Sequence, residues 1–307
     1  MVTNSFLAIR PGSRSRLTAF GKAVTYLALA LVGALLVSAV AKRLLGASLL
    51  ELAQGGAVTG TVRAVLLLLG VVVFPTAMVL RFFKEPVQLS AWACGSALRL
   101  TGWGLATGFS LLAAIAGVMW VFGAVTFAIV APTLSPAFSG LIFSAMLWLA
   151  QAAGEEGLHR GYAFVQVSRA ISFWPTALLS SAWFMYGHVG NEGETVLGII
   201  AAGLLGLALS YSLLRTGSLW FALGFHASWN FSQSFVFGFH NSGGKSPASL
   251  LSATVNGSPL LTGGTTGPEA SLLVLPALIV LLAIIQRVTV QACERSDRPA
   301  PSVPTNS

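Results

Sequence analysis

The chain has 307 residues, of which 55% are hydrophobic and only 8% charged, and its formal net charge is +8. A soluble domain carries about 25% charged residues, so this composition excludes an ordinary water-soluble protein. The basic excess lies between apolar stretches and forms no recognisable nucleic-acid-binding module, so we expect no nucleic-acid partner.

Residues 1–22 form a basic leader, which we predict to be cytoplasmic. The apolar stretch that follows is longer than the core of a signal peptide, which has about 7 to 15 residues, so we interpret it as a retained membrane span. At the other end, residues 291–307 are polar and rich in proline. We predict that this tail is cytoplasmic and disordered.

Apolar stretches long enough to cross the hydrocarbon layer, about 20 residues each, recur over residues 23–290. The alternation typical of a membrane β-barrel is absent, and lipid offers no hydrogen-bond partner to a free backbone, so helices are expected. The sequence predicts an all-α, polytopic transmembrane bundle that forms a single domain. The eight predicted spans are 23–41, 64–80, 103–130, 141–169, 174–190, 195–214, 218–237 and 270–286.

The basic residues are distributed unevenly between the predicted loops. If the amino terminus is cytoplasmic, four of the 17 basic residues lie outside, namely Lys42, Arg43, Arg63 and Lys245. Because cytoplasmic loops are enriched in Lys and Arg, we predict both termini on the cytoplasmic side of an inner or plasma membrane. The basic loops would then contact anionic membrane lipid. Cys94 and Cys293 fall on the same reducing side, so no disulfide is expected.

Ionisable side chains inside spans cost about 2.5 to 3.5 kcal/mol each, and they usually face a cavity and serve a function. In this chain they concentrate in the second half, together with one amide. The set consists of Glu155, Glu156, His159, Arg160, His188, His226 and Asn230.

Helical geometry divides this set. Glu155 and His188 are equally distant in sequence from the middle of a predicted turn at 168–175, so they should lie at matching depth. His226 enters from the same side, and Asn230 shares its face because it is four residues further on. We therefore predict that these four side chains surround one pocket.

Glu156 lies on a different face from Glu155, because neighbouring helical positions diverge by about 100°. Arg160 is four residues after Glu156 and shares its face. These two residues are predicted to form a structural ion pair. His159 and His240 are predicted to be packing residues.

The four pocket residues have the chemistry needed to hydrolyse an amide. Glu155 is a candidate general base that would hold a water molecule jointly with His188. His226 and Asn230 would donate to the developing oxyanion. A zinc site formed by Glu155, His188 and His226 is the alternative, since two imidazoles and a carboxylate resemble a catalytic zinc set. Phe184 is interpreted either as core packing or as part of a substrate-binding groove.

Three motifs in this region resemble those of the CAAX prenyl endopeptidase type II and bacteriocin-immunity family of intramembrane proteases. Residues 155–160 (EEGLHR) resemble EExxxR, residues 184–188 (FMYGH) resemble FxxxH, and residues 226–230 (HASWN) resemble HxxxN. His159 departs from the pattern, because an aromatic residue is frequent at that position. No motif is found in the first 130 residues.

The resemblance implies a protease core at about 140–240 that cleaves peptide bonds within or near the membrane. It assigns Glu155, His188, His226 and Asn230 to catalysis and Glu156 with Arg160 to support. The expected substrate is a hydrophobic or lipidated, possibly prenylated, peptide. Two other classes stay open: a non-catalytic scaffold or immunity protein that binds a partner in the same cavity, and a transporter, although no inverted repeat is visible.

Overall fold

The computed structural model describes residues 13–54, 56–93, 96–130, 134–244 and 248–287. Most of the predicted leader, the whole predicted tail, Lys245 and both cysteines lie outside these ranges. The first half contains α1 (Ser13–Leu45), α2 (Leu49–Gln54), α3 (Ala57–Leu67), a π-helical stretch (Leu68–Val73), α4 (Phe74–Phe82), a 3-10 turn (Val87–Ser90), α5 (Ala97–Val121) and strand β1 (Val125–Ile129).

The second half contains α6 (Leu134–Arg160), α7 (Tyr162–Ile171), α8 (Phe173–Tyr186), α9 (Val196–Thr216) and α10 (Trp220–Phe231), which continues into a π-helical stretch (Ser232–Val236). Strand β2 (Leu251–Val255), α11 (Pro259–Thr262), a 3-10 turn (Pro268–Ala270) and α12 (Val274–Arg287) complete it.

The predicted all-α helical bundle is confirmed. Within the described ranges, five helical segments are long and apolar enough to cross a membrane: Ser15–Leu45, Ala57–Phe82, Ala97–Val121, Ala137–Ile171 and Val196–Thr216. Helix α12 is apolar but shorter. Helices α8 and α10, which were predicted as the fifth and seventh spans, have 14 and 12 residues.

Two predicted spans end earlier than expected. The third was predicted to run to residue 130, but α5 ends at Val121 and the chain turns at Gly123, whose φ is +68°. The next residues form β1, which pairs antiparallel with β2 from Val125 opposite Val255 to Ile129 opposite Leu251. The fifth was predicted to run to residue 190, whereas α8 ends at Tyr186, so His188 lies in the turn that follows it.

The turn expected between the fourth and fifth spans is centred on Ser172, whose φ of +86° reverses the chain between α7 and α8. A second break, at Gly161, separates α6 from α7. The two breaks together return α8 alongside the residues of α6 that carry the predicted site.

Helices α5 and α10 touch along their backbones. A Cβ atom added to Gly104 would lie 2.3 Å from the carbonyl oxygen of Phe221, and one added to Gly108 would lie 2.4 Å from that of Phe225. From the other side, a Cβ atom on Gly224 would lie 2.4 Å from the carbonyl oxygen of Thr101. Small residues permit this close approach of helices, which fixes the position of the helix that carries His226.

We expect Gly224→Ala to destabilise the protein by about 1 to 3 kcal/mol, the usual cost of overpacking, because the added methyl group meets backbone that cannot rotate away. Gly117→Ala is the matched control, since nothing lies within 4 Å of a Cβ atom at that helical position. Thermal unfolding of both variants in detergent would measure the difference. Equal melting temperatures for the two variants would contradict the close packing of α5 and α10.

Candidate active site

Glu155, His188, His226 and Asn230 all line one cavity inside the helical bundle. The cavity has a volume of about 70 Å³, enough for several water molecules. Helix α6 contributes Glu155, the turn after α8 contributes His188, and α10 contributes the other two residues. The structure thus brings together the four side chains that were predicted to share a pocket.

Glu155 is the more exposed acid of the pair 155–156. One third of its side chain, 33%, is accessible, and its Oε1 atom accepts a hydrogen bond of 3.0 Å from Nε2 of Gln151. Gln151 lies one helical turn earlier and also lines the cavity. The sequence analysis missed this residue, although its spacing of four from Glu155 was a usable signal.

Glu156 and Arg160 form an ion pair that is completely buried. Nη1 of Arg160 lies 2.7 Å from Oε2 of Glu156, and both side chains are 0% exposed. The Nε atom of Arg160 is 3.2 Å from the carbonyl oxygen of Gly206 and 3.3 Å from Oγ of Ser210. The pair therefore joins α6 to α9 in addition to satisfying its own charges.

His226 lies between the two carboxylates. Its Nδ1 atom is 2.9 Å from Oε1 of Glu156, and its Nε2 atom is 3.6 Å from Oε2 of Glu155. A carboxylate paired with a guanidinium accepts hydrogen bonds, so Nδ1 is the donor and Nε2 faces Glu155. Glu156 consequently orients the imidazole, a contact that was not predicted from the sequence.

His188 is held by the last turn of α8, which precedes it. Its Nδ1 atom lies 2.8 Å from the carbonyl oxygen of Phe184. Because a carbonyl oxygen only accepts hydrogen bonds, Nδ1 of His188 is the donor. The other ring nitrogen, Nε2, is not used in this bond.

Phe184 is buried and lines the cavity, and its ring centroid lies 4.6 Å from that of His188. The Arg160 guanidinium carbon lies 5.3 Å from the Phe184 ring centroid. Phe184 therefore packs in the core and forms part of the cavity wall, and its role in substrate binding stays a prediction. The neighbouring Trp183 and Tyr186 are exposed.

The two other histidines have packing contacts. The ring of His159 lies 4.5 Å from that of Trp183 and 5.2 Å from that of Phe184. Nδ1 of His240 is 3.0 Å from the carbonyl oxygen of Thr265.

A second group of polar residues lines the cavity, and the sequence analysis did not place any of them there. They are Glu194, Asn241, Ser242 and Glu269. The carboxylate of Glu269 accepts hydrogen bonds from the backbone N–H and the hydroxyl of Ser242, so it ties the segment before α12 to the segment after α10. Burial raises the pKa of Glu269 above its ordinary value of 4.5, although the bonds from Ser242 oppose this shift.

The raised pKa of Glu269 predicts a pH dependence of stability. Between the unfolded pKa and the higher native pKa, the native state binds more protons than the unfolded state, so stability falls as the pH rises through this window. We expect the melting temperature of the parent to decrease from about pH 4.5 upward. Glu269→Gln should flatten the curve, and Glu192→Gln, at an exposed position, should not. Identical pH profiles for the parent and Glu269→Gln would contradict this assignment.

The predicted zinc ligands do not form a metal-binding group in this arrangement. Within the described ranges, no three histidine, cysteine, aspartate or glutamate side chains are grouped so that they could hold a metal ion. Glu155 and His226 instead face each other directly.

Comparison with known proteins agrees with the three motifs. Residues 136–232 match the model of the family described as type II CAAX prenyl endopeptidase Rce1-like, and all three motifs lie inside the matched segment. No curated protein and no solved structure matches the chain. The predicted family resemblance is therefore confirmed over these residues. It supports a CAAX-type intramembrane protease function in general, and with the five apolar helices it supports an integral membrane protein.

Proposed function

We propose that this chain is an intramembrane endopeptidase that hydrolyses peptide bonds of hydrophobic or lipidated substrates, using a water molecule activated by Glu155. The observation that carries the proposal is the pairing of the Glu155 carboxylate with Nε2 of His226 across 3.6 Å, at the wall of a cavity within the bundle that can hold several water molecules. An acid and an imidazole in that relation are suited to acid–base chemistry on an amide.

In the proposed reaction, Glu155 takes a proton from water while the water oxygen forms a bond to the scissile carbonyl carbon. Glu155 is suited to this step because its carboxylate reaches the cavity and is not consumed by an ion pair with Arg160. His188 would hold the same water through its free Nε2 atom. The proton then passes from Glu155 to the leaving amine as the C–N bond breaks.

The negative charge of the tetrahedral intermediate requires donors on the opposite side. His226, when protonated at Nε2, and the side-chain amide of Asn230 would supply them, since both line the cavity and lie one helical turn apart on α10. Donors fixed in advance for a developing oxyanion are worth about 3 to 4 kcal/mol each. Glu156 acts as a positioning residue, because it holds the His226 ring through Nδ1.

The test is cleavage of a panel of lipidated and unlipidated hydrophobic peptides by the purified full chain in lipid vesicles. We expect the parent to cleave and His226→Ala to be strongly impaired. Binding without cleavage by the parent, across the whole panel, would refute the enzyme and favour a scaffold that holds a partner in the same cavity.

A bound zinc ion would supply Lewis-acid activation of water, but the three candidate ligands are not grouped for it. We therefore expect full activity after treatment with a chelator and a substoichiometric zinc content. Elemental analysis of the active preparation, with activity measured before and after chelation, checks this. Loss of activity on chelation that returns only with added zinc would replace the metal-free reaction by a zinc-dependent one.

A further inference from the structure

An apolar groove lies between α9 and α12, on the outer side of the wall that these helices contribute to the candidate site. Its volume is about 570 Å³, within the range of ligand-binding pockets. The apolar part of the groove is lined by Leu204, Ala208, Leu275, Ile279 and Leu282. Leu278 is 8% exposed and lines both the groove and the active-site cavity, so it separates the two.

One end of the groove is polar and aromatic. Tyr211 and Gln286 line this end, and the ring of Trp174 stacks on that of Tyr211 at 6.3 Å with an interplanar angle of 19°. Trp and Tyr are enriched where membrane spans meet the headgroup layer. This end of the groove is therefore suited to the membrane surface, and the apolar length to the hydrocarbon.

Two arginines lie next to Gln286 at this end, just outside the residues that line the groove. Nη2 of Arg215 donates a hydrogen bond of 2.9 Å to the carbonyl oxygen of Gln286, and Arg287 is the next residue along the chain. Within the described ranges, no carboxylate lies within ion-pair distance of either arginine. The Nε atom of Arg215 is buried without a hydrogen-bond partner there. The polar end of the groove thus lies beside two positive charges that no described carboxylate balances.

We propose that this groove is a binding site for one anionic glycerophospholipid. An acyl chain lies along α9 and α12, the glycerol region meets Trp174 and Tyr211, and the phosphate accepts hydrogen bonds from Arg215 and Arg287. Guanidinium groups are well matched to phosphate, because they combine charge with a fork of donors. The bound lipid would hold α12 against α9 and so support the cavity wall at Leu278. This inference does not depend on the proposed protease function.

The test uses the purified full chain in detergent, titrated with phosphatidylglycerol or phosphatidylcholine of identical acyl chains, with binding measured by native mass spectrometry. We expect phosphatidylglycerol to bind more tightly. Arg287→Gln and Arg215→Gln should each weaken phosphatidylglycerol binding by about fivefold, the effect of one basic residue near an anionic headgroup. Arg99→Gln, which removes an exposed cation from α5, is the charge-matched control.

Arg215→Gln also removes the bond to the Gln286 carbonyl oxygen, so its effect combines the lost charge with a lost helix contact. Arg287→Gln leaves the bond in place. Ile279→Trp offers an independent variant, because it fills the groove at a position that is 69% exposed and keeps both cations. It should abolish binding of phosphatidylglycerol, whereas Leu35→Trp, at an exposed position of α1, should not.

Several results would overturn the proposal. One is equal binding of the two lipids, and another is an equal loss with Arg99→Gln and Arg287→Gln. Displacement of phosphatidylglycerol by inorganic phosphate alone would show that the site binds a phosphate ion rather than a phospholipid. Occupation of the groove by a lipidated peptide in preference to phospholipid would assign it to the substrate.

Discussion

Glu155→Gln should lower the rate of peptide cleavage by about 10² to 10⁴-fold, the usual contribution of a general base, with little change in fold. The replacement has the same shape but cannot accept the proton of the attacking water. The side chain is partly exposed to the cavity, and no described guanidinium or ammonium group forms an ion pair with it. Removing its charge therefore leaves no opposite charge buried and unpaired.

The rate should be measured with one peptide at saturating and at low concentration, so that turnover and binding are separated. A loss in turnover with nearly unchanged binding is the expected pattern for a group that acts in the chemical step. Glu51→Gln is the control, since Glu51 is an exposed carboxylate on α2, away from the cavity. Unimpaired cleavage by Glu155→Gln would remove Glu155 from the role of base.

Glu156→Gln should have the largest effect on stability, about 3 to 5 kcal/mol, because it leaves the guanidinium of Arg160 buried without a counter-charge. Both side chains are fully enclosed, so water cannot replace the lost partner. The same variant weakens the contact that orients His226. We therefore expect lower activity even in the fraction that folds.

The double variant Glu156→Met with Arg160→Leu separates charge from packing. Replacing a buried pair by apolar residues of similar volume is often neutral or stabilising, so the double variant should unfold at higher denaturant than Glu156→Gln alone. It should still be impaired in cleavage, because His226 has lost its partner. Chemical unfolding in micelles measures the first effect. A single variant as stable as the parent would contradict a structural role for the pair.

The sequence predicted the arrangement of the site better than the extent of the elements. Adjacent glutamates must point about 100° apart on a helix, so assigning Glu156 to Arg160 and Glu155 to the cavity required only helical geometry. The turn at Ser172 was predicted from the stretch 168–175, in which Pro175 suits the first turn of a new helix. The catalytic roles of these residues stay predictions until cleavage is measured.

Other features depend on contacts between distant parts of the chain. Residues 125–129 are mostly apolar and partly β-branched, so they fit a helix or a strand equally well, and their pairing with β2 decided the outcome. The place of Glu269 on the cavity wall follows from its bonds to Ser242, 27 residues earlier. The bond between Glu156 and His226 spans 70 residues, and no local pattern encodes it.

The pairing of β1 with β2 also constrains biogenesis. Residues 125–129 are synthesised well before residues 251–255. Strand β1 therefore has no pairing partner while most of the helices are inserted. Glu269 and α12, which complete the cavity wall, emerge later still. A nascent chain halted before residue 251 would therefore carry all three motifs but lack part of the cavity wall, so under the proposed function cleavage would begin only after residues 251–287 have been added.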